Sequence, residues 1–283
     1  MTVEEFEEKR ARQWHLRPEF ALTTERELLK FIQDVGAASL SLGKNALFPS
    51  LVRAIDGSVR RWYPRLYRNS PYAELMEKFW KRYVESRQIF EVNLVQDTPG
   101  VVSRKWMIAL FAILGESHLG RRRRSYSVQP RFTKLELAAF KVILEKGPIS
   151  QKHLTLALNL WNKSSRRQLG TGLQKLWKAL KILRVGYTRQ DGGLWDIPIR
   201  WDPPLRESAS TVPREKAVAE LIKKYITMAV ATSRKRISRA FAGILTPTQI
   251  SEALRYLLLK KSVVIDTNLI LDGKRALTAG PNR

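Results

Sequence analysis

Between Thr23 and Gly36, apolar side chains fall at Leu28, Leu29, Phe31, Ile32 and Val35, the spacing of one helix face. Thr23 or Thr24 precedes the run as a cap, Glu25 and Glu27 sit in its first turn, and Gly36 ends it. A charged helix over residues 3–17 comes first and has little core-facing surface. Pro49 suits the first position of a helix from about 48 to 55, closed by Asp56-Gly57. Residues 72–90 place Leu75, Met76, Phe79, Trp80 and Tyr83 on one face, and Ser103 opens a further helix ended by Gly115. Beyond residue 131 the pattern becomes a unit: helix 133–145, helix 150–158, then a long helix capped by Ser164 or Ser165 and running to Leu183. Two short β runs, "RVGYT" and "LWDIPIR", flank a turn at Gly192-Gly193.

Three helices followed by a hairpin are the winged-helix variant of helix-turn-helix. The order returns after a linker from Pro203-Pro204 to Pro213. A helix spans 216–228, "RISRAFAG" is a short second one, and Thr246, Pro247 and Gln249 form a capping box on a third. Two strands turning around Asp266–Asn268 complete it. The chain thus divides into an N-terminal extension (1–22), a helical, winged-helix-like domain ending in a basic linker (23–130), a winged helix (131–202) and a second one (203–283). The expected fold class is mostly α with small β-hairpin wings, in tandem winged-helix modules.

Charge adds a partner. The sequence carries 51 Lys and Arg against 26 acids, a net charge of +25, and a protein this basic binds polyanions, nucleic acid by default. Residues 146–190 hold ten cations and no acid, and residues 221–251 hold six and none. In the long helix, Arg166, Arg167 and Gln168 occupy the N-terminal end that enters a major groove in helix-turn-helix proteins, and Lys163, just before its cap, is a further nucleic-acid-binding candidate. Lys175 lies further along, within reach of phosphates at most, and Arg189 sits at the wing's turn. Gly170 and Gly172 weaken this helix or admit close backbone approach. Arg121, Arg122, Arg123 and Arg124 form either a minor-groove arm or a solvated linker. Arg234, Lys235 and Arg236 are a second phosphate-facing cluster or a solvated loop. Trp80 and Trp106 fit the core, while "RRWYPRLYR" interleaves Arg with Trp62, Tyr63 and Tyr67 in a manner suited to a groove surface or to neither.

Other chemistry is narrowed. Without cysteine there is no disulfide, thiolate metal site or Cys nucleophile. His15, His118 and His153 have no ligand spacing, so no metal is expected, and no phosphate-loop or dinucleotide fingerprint calls for a cofactor. The longest apolar stretch, Trp106–Leu114, is far short of the ~20 residues that span a bilayer. The charged N-terminus does not read as an export signal. A cytoplasmic protein without membrane contact is expected, nucleoid-associated if bacterial. No dimerisation heptad is visible, which favours a monomer.

Several stretches, "TTERELLKFIQDVGAASLSL", "LFPSLVRAIDG", "MEKFWKRYVESRQIFEVNLV", "PGVVSRKWMIALFAIL" and "LEKGPISQKHLTLAL…SSRRQLGTGLQKLWKALKILRVG", resemble the AlkZ/YcaQ-type winged-helix DNA glycosylases. The resemblance implies a concave cradle around duplex DNA and removal of alkylated or crosslinked bases as a monofunctional N-glycosylase. That family's Gln-x-Gln or Gln-x-Asp signature falls here on Ser39-Leu40-Ser41. The apolar centre is kept, but both polar side chains are shortened and uncharged. Asp34 and Asp56, with Gln33, are the nearby groups that can compensate. A non-enzymatic winged-helix regulator or architectural protein is the alternative; it would prefer a sequence, usually as a dimer, where a glycosylase prefers lesions.

Overall fold

The computed structural model describes residues 1–40, 47–57, 71–95, 98–115, 132–188 and 190–280. Helix α1 (Val3–Gln13) and helix α2 (Glu25–Val35) each begin in a capping box, from Thr2 with Glu5 and from Thr24 with Glu27. Strand β1 (Ala37–Ser39), helix α3 (Leu51–Asp56) and helix α4 (Pro71–Phe79) follow, α4 running into a π-helical turn at Trp80–Val84. The hairpin β2 (Ile89–Val95) and β3 (Thr98–Ser103) leads into α5 (Arg104–Leu114). A second set comprises α6 (Lys134–Lys146), β4 (Ile149–Ser150), α7 (Gln151–Ala157), α8 (Lys163–Lys178) and the hairpin β5 (Leu183–Thr188) and β6 (Gly192–Asp196). Two short helices, α9 (Pro198–Trp201) and α10 (Pro204–Ser210), connect it to a third set. This contains α11 (Arg214–Ala229), β7 (Ala231–Thr232), α12 (Arg234–Ala240), α13 (Pro247–Leu259), β8 (Val263–Leu271) and β9 (Lys274–Ala279).

The order helix, strand, helix, helix, hairpin therefore occurs three times. In each case the short strand pairs with the last strand of the hairpin: Ala38 with Val101, Ser150 with Leu194, Thr232 with Leu277. The first two sets share one sheet, ordered β1-β3-β2-β5-β6-β4, whose halves meet where Glu91 pairs with Arg184. Glu91 is 2% exposed, and its carboxylate accepts hydrogen bonds from Arg184 Nε, at 2.8 Å, and Nη2. Trp177 Nε1 donates to the Glu91 carbonyl at 3.1 Å and Asn93 Nδ2 to Gln174 Oε1 at 2.8 Å. Burial pushes the Glu91 carboxyl upward, against the pull of Arg184.

The first and third sets meet through aromatic rings. Phe48 lies edge-on to Trp106, Tyr225 and Phe241, with centroids 6.1, 5.3 and 6.4 Å away, and Trp106 stacks on Phe241. Burial raises the Tyr225 phenol to about 12. Helix α1 spends its apolar residues on the third set. Phe6 packs with Ala231, Leu269 and Ala276, Trp14 Nε1 donates to the Met228 carbonyl at 2.7 Å, and the Met1 amino group is 3.3 Å from Asp266. The N-terminal extension is thus a clasp joining the two ends of the chain.

Several sequence expectations are corrected. The stretch from Pro203 to Pro213 is not a linker: Leu205 and Ala209 are buried on α10, which packs against α5. Helix α8 is capped by Asn162, whose Oδ1 accepts the Ser165 N–H at 2.7 Å, and ends at Lys178, because Leu180 turns left-handed at φ 52°. Helix α3 starts after Ser50, its cap, rather than at Pro49. The last hairpin turns at Asp272-Gly273. Asp266–Asn268 instead form a bulge in β8, where the Asp266 carboxylate accepts the N–H groups of Asn268 and Leu269. Gly172 lets α8 approach α6, since a Cβ there would lie 2.9 Å from Glu136 Cγ.

Candidate nucleic-acid interface and active site

The start of α8 is an open cationic surface among the described residues that the sequence singled out. Lys163, Arg167 and Gln168 are exposed on its first two turns, where no carboxylate stands. Arg166 is also exposed but has a structural task. Its Nε donates to the Leu160 carbonyl at 3.3 Å and its Nη2 to the Trp161 carbonyl at 2.6 Å, which fastens the α7–α8 loop. That loop holds the Trp161 indole out, 67% exposed. Sequence reasoning missed Trp161. The available signal was a large aromatic one residue before a helix cap and outside any apolar stripe. Tyr187 on β5 is exposed to a similar degree.

The cation block of residues 146–190 is free of acid in sequence but not in space. Lys175 Nζ lies 2.9 Å from Glu136 and over the Phe132 ring, Lys152 is 3.0 Å from Asp191, and Arg184 holds Glu91. Burial pushes the Glu136 carboxyl up, but the Thr133 backbone N–H and Lys175 outweigh it and hold it below its ordinary value. Lys175 is therefore engaged within the chain. Around α12, Ser233 Oγ donates to Asp272 at 2.6 Å and Arg236 Nε lies 3.1 Å from the same carboxylate. The Ser233 hydrogen bond, followed by Arg236, holds Asp272 low against its partial burial. Arg234 donates to Ser251 Oγ at 2.6 Å, and Lys235 is exposed.

The candidate catalytic segment begins at the end of β1. Ser39 is 6% exposed and its backbone is pinned on both sides. It pairs with Gly100 of β3, and its N–H donates to the Pro49 carbonyl at 2.8 Å, where it forms a parallel bridge with Ser50. Leu40 N–H donates to the Pro99 carbonyl at 2.9 Å. Ser50 caps α3, and Asp56 is the last residue of that short helix, half-buried; Asp34 and Gln33 are exposed at the end of α2. The structure thus joins Ser39 to the start of α3, with Asp34 and Asp56 at the ends of the flanking helices. Ser41, Arg121, Arg122, Arg123, Arg124, Arg189, Trp62, Tyr63 and Tyr67 lie outside the described residues. Among the described residues no group of three His, Asp or Glu side chains is arranged for a metal. His15 Nδ1 bonds the Phe20 carbonyl and His153 Nδ1 bonds Ser150 Oγ at 2.9 Å. No described helix is long and apolar enough to cross a membrane.

With three hairpin-bearing sets joined through one core, the fold is specific enough to compare. A DNA glycosylase from Streptomyces sahachiroi, AlkZ, superposes on 99% of this chain and 70% of its own, with a TM-score of 0.59 and 11% sequence identity. The chain has the fold of AlkZ. The mostly helical class with small antiparallel hairpins, and the resemblance in fold drawn from the sequence, therefore stand, and at this identity the likeness is one of fold. No family description and no curated protein matches the sequence. AlkZ thus informs the shape of this chain, and the roles of individual residues have to be argued from their chemistry.

Proposed function

We propose that this chain is a duplex-DNA-binding, glycosylase-like protein of DNA repair, acting as a cytoplasmic monomer without metal or cofactor on alkylated or crosslinked bases. The observation that carries the reading is the AlkZ fold over nearly the whole chain, together with the carboxylate-free, exposed start of α8. The three sets form the cradle, with Lys163, Arg167 and Gln168 facing the duplex and Arg234 and Lys235 meeting phosphates on the other side. Trp161, held out by Arg166, supplies a flat apolar face for a sugar or an unstacked base.

Hydrolysis of an N-glycosyl bond needs a group that holds water and, in most schemes, a negative charge opposite the oxocarbenium-like sugar. Ser39 and Ser41 supply the first. Asp34 and Asp56, at the ends of α2 and α3, are the nearby carboxylates for the second.

Two results are expected. In fluorescence anisotropy with a short duplex, log Kd will change linearly with log salt, and Lys163→Ala with Arg167→Ala will lower that slope by about 2, roughly one for each phosphate no longer neutralised. An unchanged slope removes α8 from the interface. In the second, duplexes carrying N7- or N3-alkylated purines are incubated with the protein, then cleaved with alkali. Strand breaks that vanish in Asp34→Asn or Asp56→Asn identify the carboxylate; tight binding without breaks leaves a DNA-binding protein and ends the enzyme reading for those lesions.

A further inference from the structure

The third set leaves open a face that the second set has covered. Helix α8 ends with Leu180 left-handed, its N–H on the Trp177 carbonyl, and the Lys181 N–H on the Leu176 carbonyl. Helix α13 ends in the same way: Lys261 is left-handed at φ 53°, its N–H on the Leu258 carbonyl, and the Ser262 N–H on the Leu257 carbonyl. The match sets Trp177 against Leu258 and Arg184 against Ile265. Strand pairing agrees, since Arg184 pairs with Trp195 and Ile265 with Leu277.

In the second set these three positions are occupied territory. Trp177 and Trp195 pack edge-to-face, Arg184 lies over Trp177, and strand β2 is laid along β5 with the Glu91 carboxylate on Arg184. In the third set Leu258, Ile265 and Leu277, with Leu254 and Leu259, floor an open groove of about 830 Å³. Strand β8 is the edge of its sheet, and among the described residues no strand lies on it. Leu259 is 76% exposed and Ile265 50%. The charged residues that line the groove are Arg234, Arg255, Lys274 and Arg275, with no carboxylate among them.

We propose that this groove and the free edge of β8 take an added strand from another protein, an extended segment that alternates apolar and acidic residues. Its backbone pairs with the outer edge of β8, its apolar side chains fill the aliphatic floor, and its carboxylates meet Arg255, Lys274 and Arg275, as β2 and Glu91 do on β5. An unpaired edge beside an apolar groove is the surface used in strand addition. Nucleic acid would meet only the cationic rim, because the aliphatic floor offers no partners for base edges and a free strand edge pairs with another backbone. The proposal stands on the open edge and is independent of the DNA reading.

The test uses the full chain and a fluorescein-labelled peptide of residues 88–95, "QIFEVNLV", flanked by two glutamates at each end. Anisotropy is expected to show saturable binding, weakened at least tenfold by Ile265→Glu, a half-exposed position that leaves the core intact, and by Arg255→Glu with Lys274→Glu. Duplex affinity is expected to be unaffected by Ile265→Glu. Three outcomes overturn the proposal: no saturable binding, equal binding of a peptide with lysine in place of every glutamate, or binding that survives Ile265→Glu. Loss of duplex affinity in Ile265→Glu without peptide binding assigns the face to DNA. Self-association dispersed by Ile265→Glu, read by light scattering without peptide binding, assigns it to a second copy of the chain.

Discussion

Gly36→Ala is expected to destabilise the protein by roughly 3–5 kcal/mol, the sum of a strained backbone and an overpacked core. Gly36 sits at φ +81°, ψ −37°, between α2 and β1, where an L side chain is disfavoured, and a Cβ there would lie 2.0 Å from Trp106 Nε1. Trp106 cannot retreat, because Phe48 and Phe241 hold it from the other sides. In a chain of this size such a loss corresponds to a fall in melting temperature of roughly 5–10 °C. The three nearest atoms, Nε1, Cδ1 and Cε2, belong to the pyrrole ring of the indole, which phenylalanine lacks. Gly36→Ala with Trp106→Phe should therefore lose clearly less than the sum of the single losses, by ~1–3 kcal/mol of coupling. Additive losses in denaturant titrations would show that the indole is not what excludes a side chain. The position also matters for function: Gly36 N–H and C=O bond Ile32 and Ser103, and three residues later comes Ser39. Strain relieved by shifting this turn would move the candidate catalytic segment before it unfolded the chain.

What was legible in the sequence follows the range of the interactions. Caps act over three residues, so Thr24, Ser150 and Thr246 were readable as helix starts from their local chemistry. Hairpin unit and helix order were readable because periodicity changes sharply at Leu183 and Val263. Interactions across hundreds of residues were not. Nothing near Phe6 indicates that it will meet Ala231 and Ala276, nor does Arg184 carry a mark showing that its carboxylate lies at Glu91. The same gap explains the basic blocks. A count of charges along the chain places Lys152, Lys175 and Arg184 in one acid-free surface, yet each has a carboxylate brought by another element. Prolines misled for a related reason. Pro204 opens α10 instead of breaking a helix, because a first-turn proline loses no intrahelical bond. Trp161 was overlooked because an exposed aromatic belongs to no periodic pattern; only the Arg166 bracing of its loop distinguishes it.

Arg184→Met is expected to cost about 3–5 kcal/mol, because it leaves the Glu91 carboxylate buried without its counter-charge. Glu91→Gln should cost less, since Arg184, with its side chain 31% exposed, can turn its guanidinium to water while Glu91 cannot. The pH dependence separates this account from simple loss of packing. Burial raises Glu91 even in the intact protein, and without Arg184 nothing but burial remains to set its value. A carboxyl raised on folding keeps its proton where the unfolded chain, titrating near ~4.3, has released it. Stability is then greatest below that unfolded value and falls as pH rises towards the folded value, beyond which it is level. The deficit of Arg184→Met relative to the parent should therefore narrow as unfolding is measured from pH 8 down to pH 4. A deficit that stays constant over that range would mean that the arginine acts through its packing on Trp177 rather than its charge. Glu91→Leu with Arg184→Met removes both charges and should recover most of the loss, since apolar groups of similar volume replace a buried pair at little cost. That double variant also tests the junction. The pair marks the place where the sheets of the first two sets join, so a stable variant lacking it would show that this junction holds through its remaining contacts, those of Trp177 and Asn93 among them, without the ion pair.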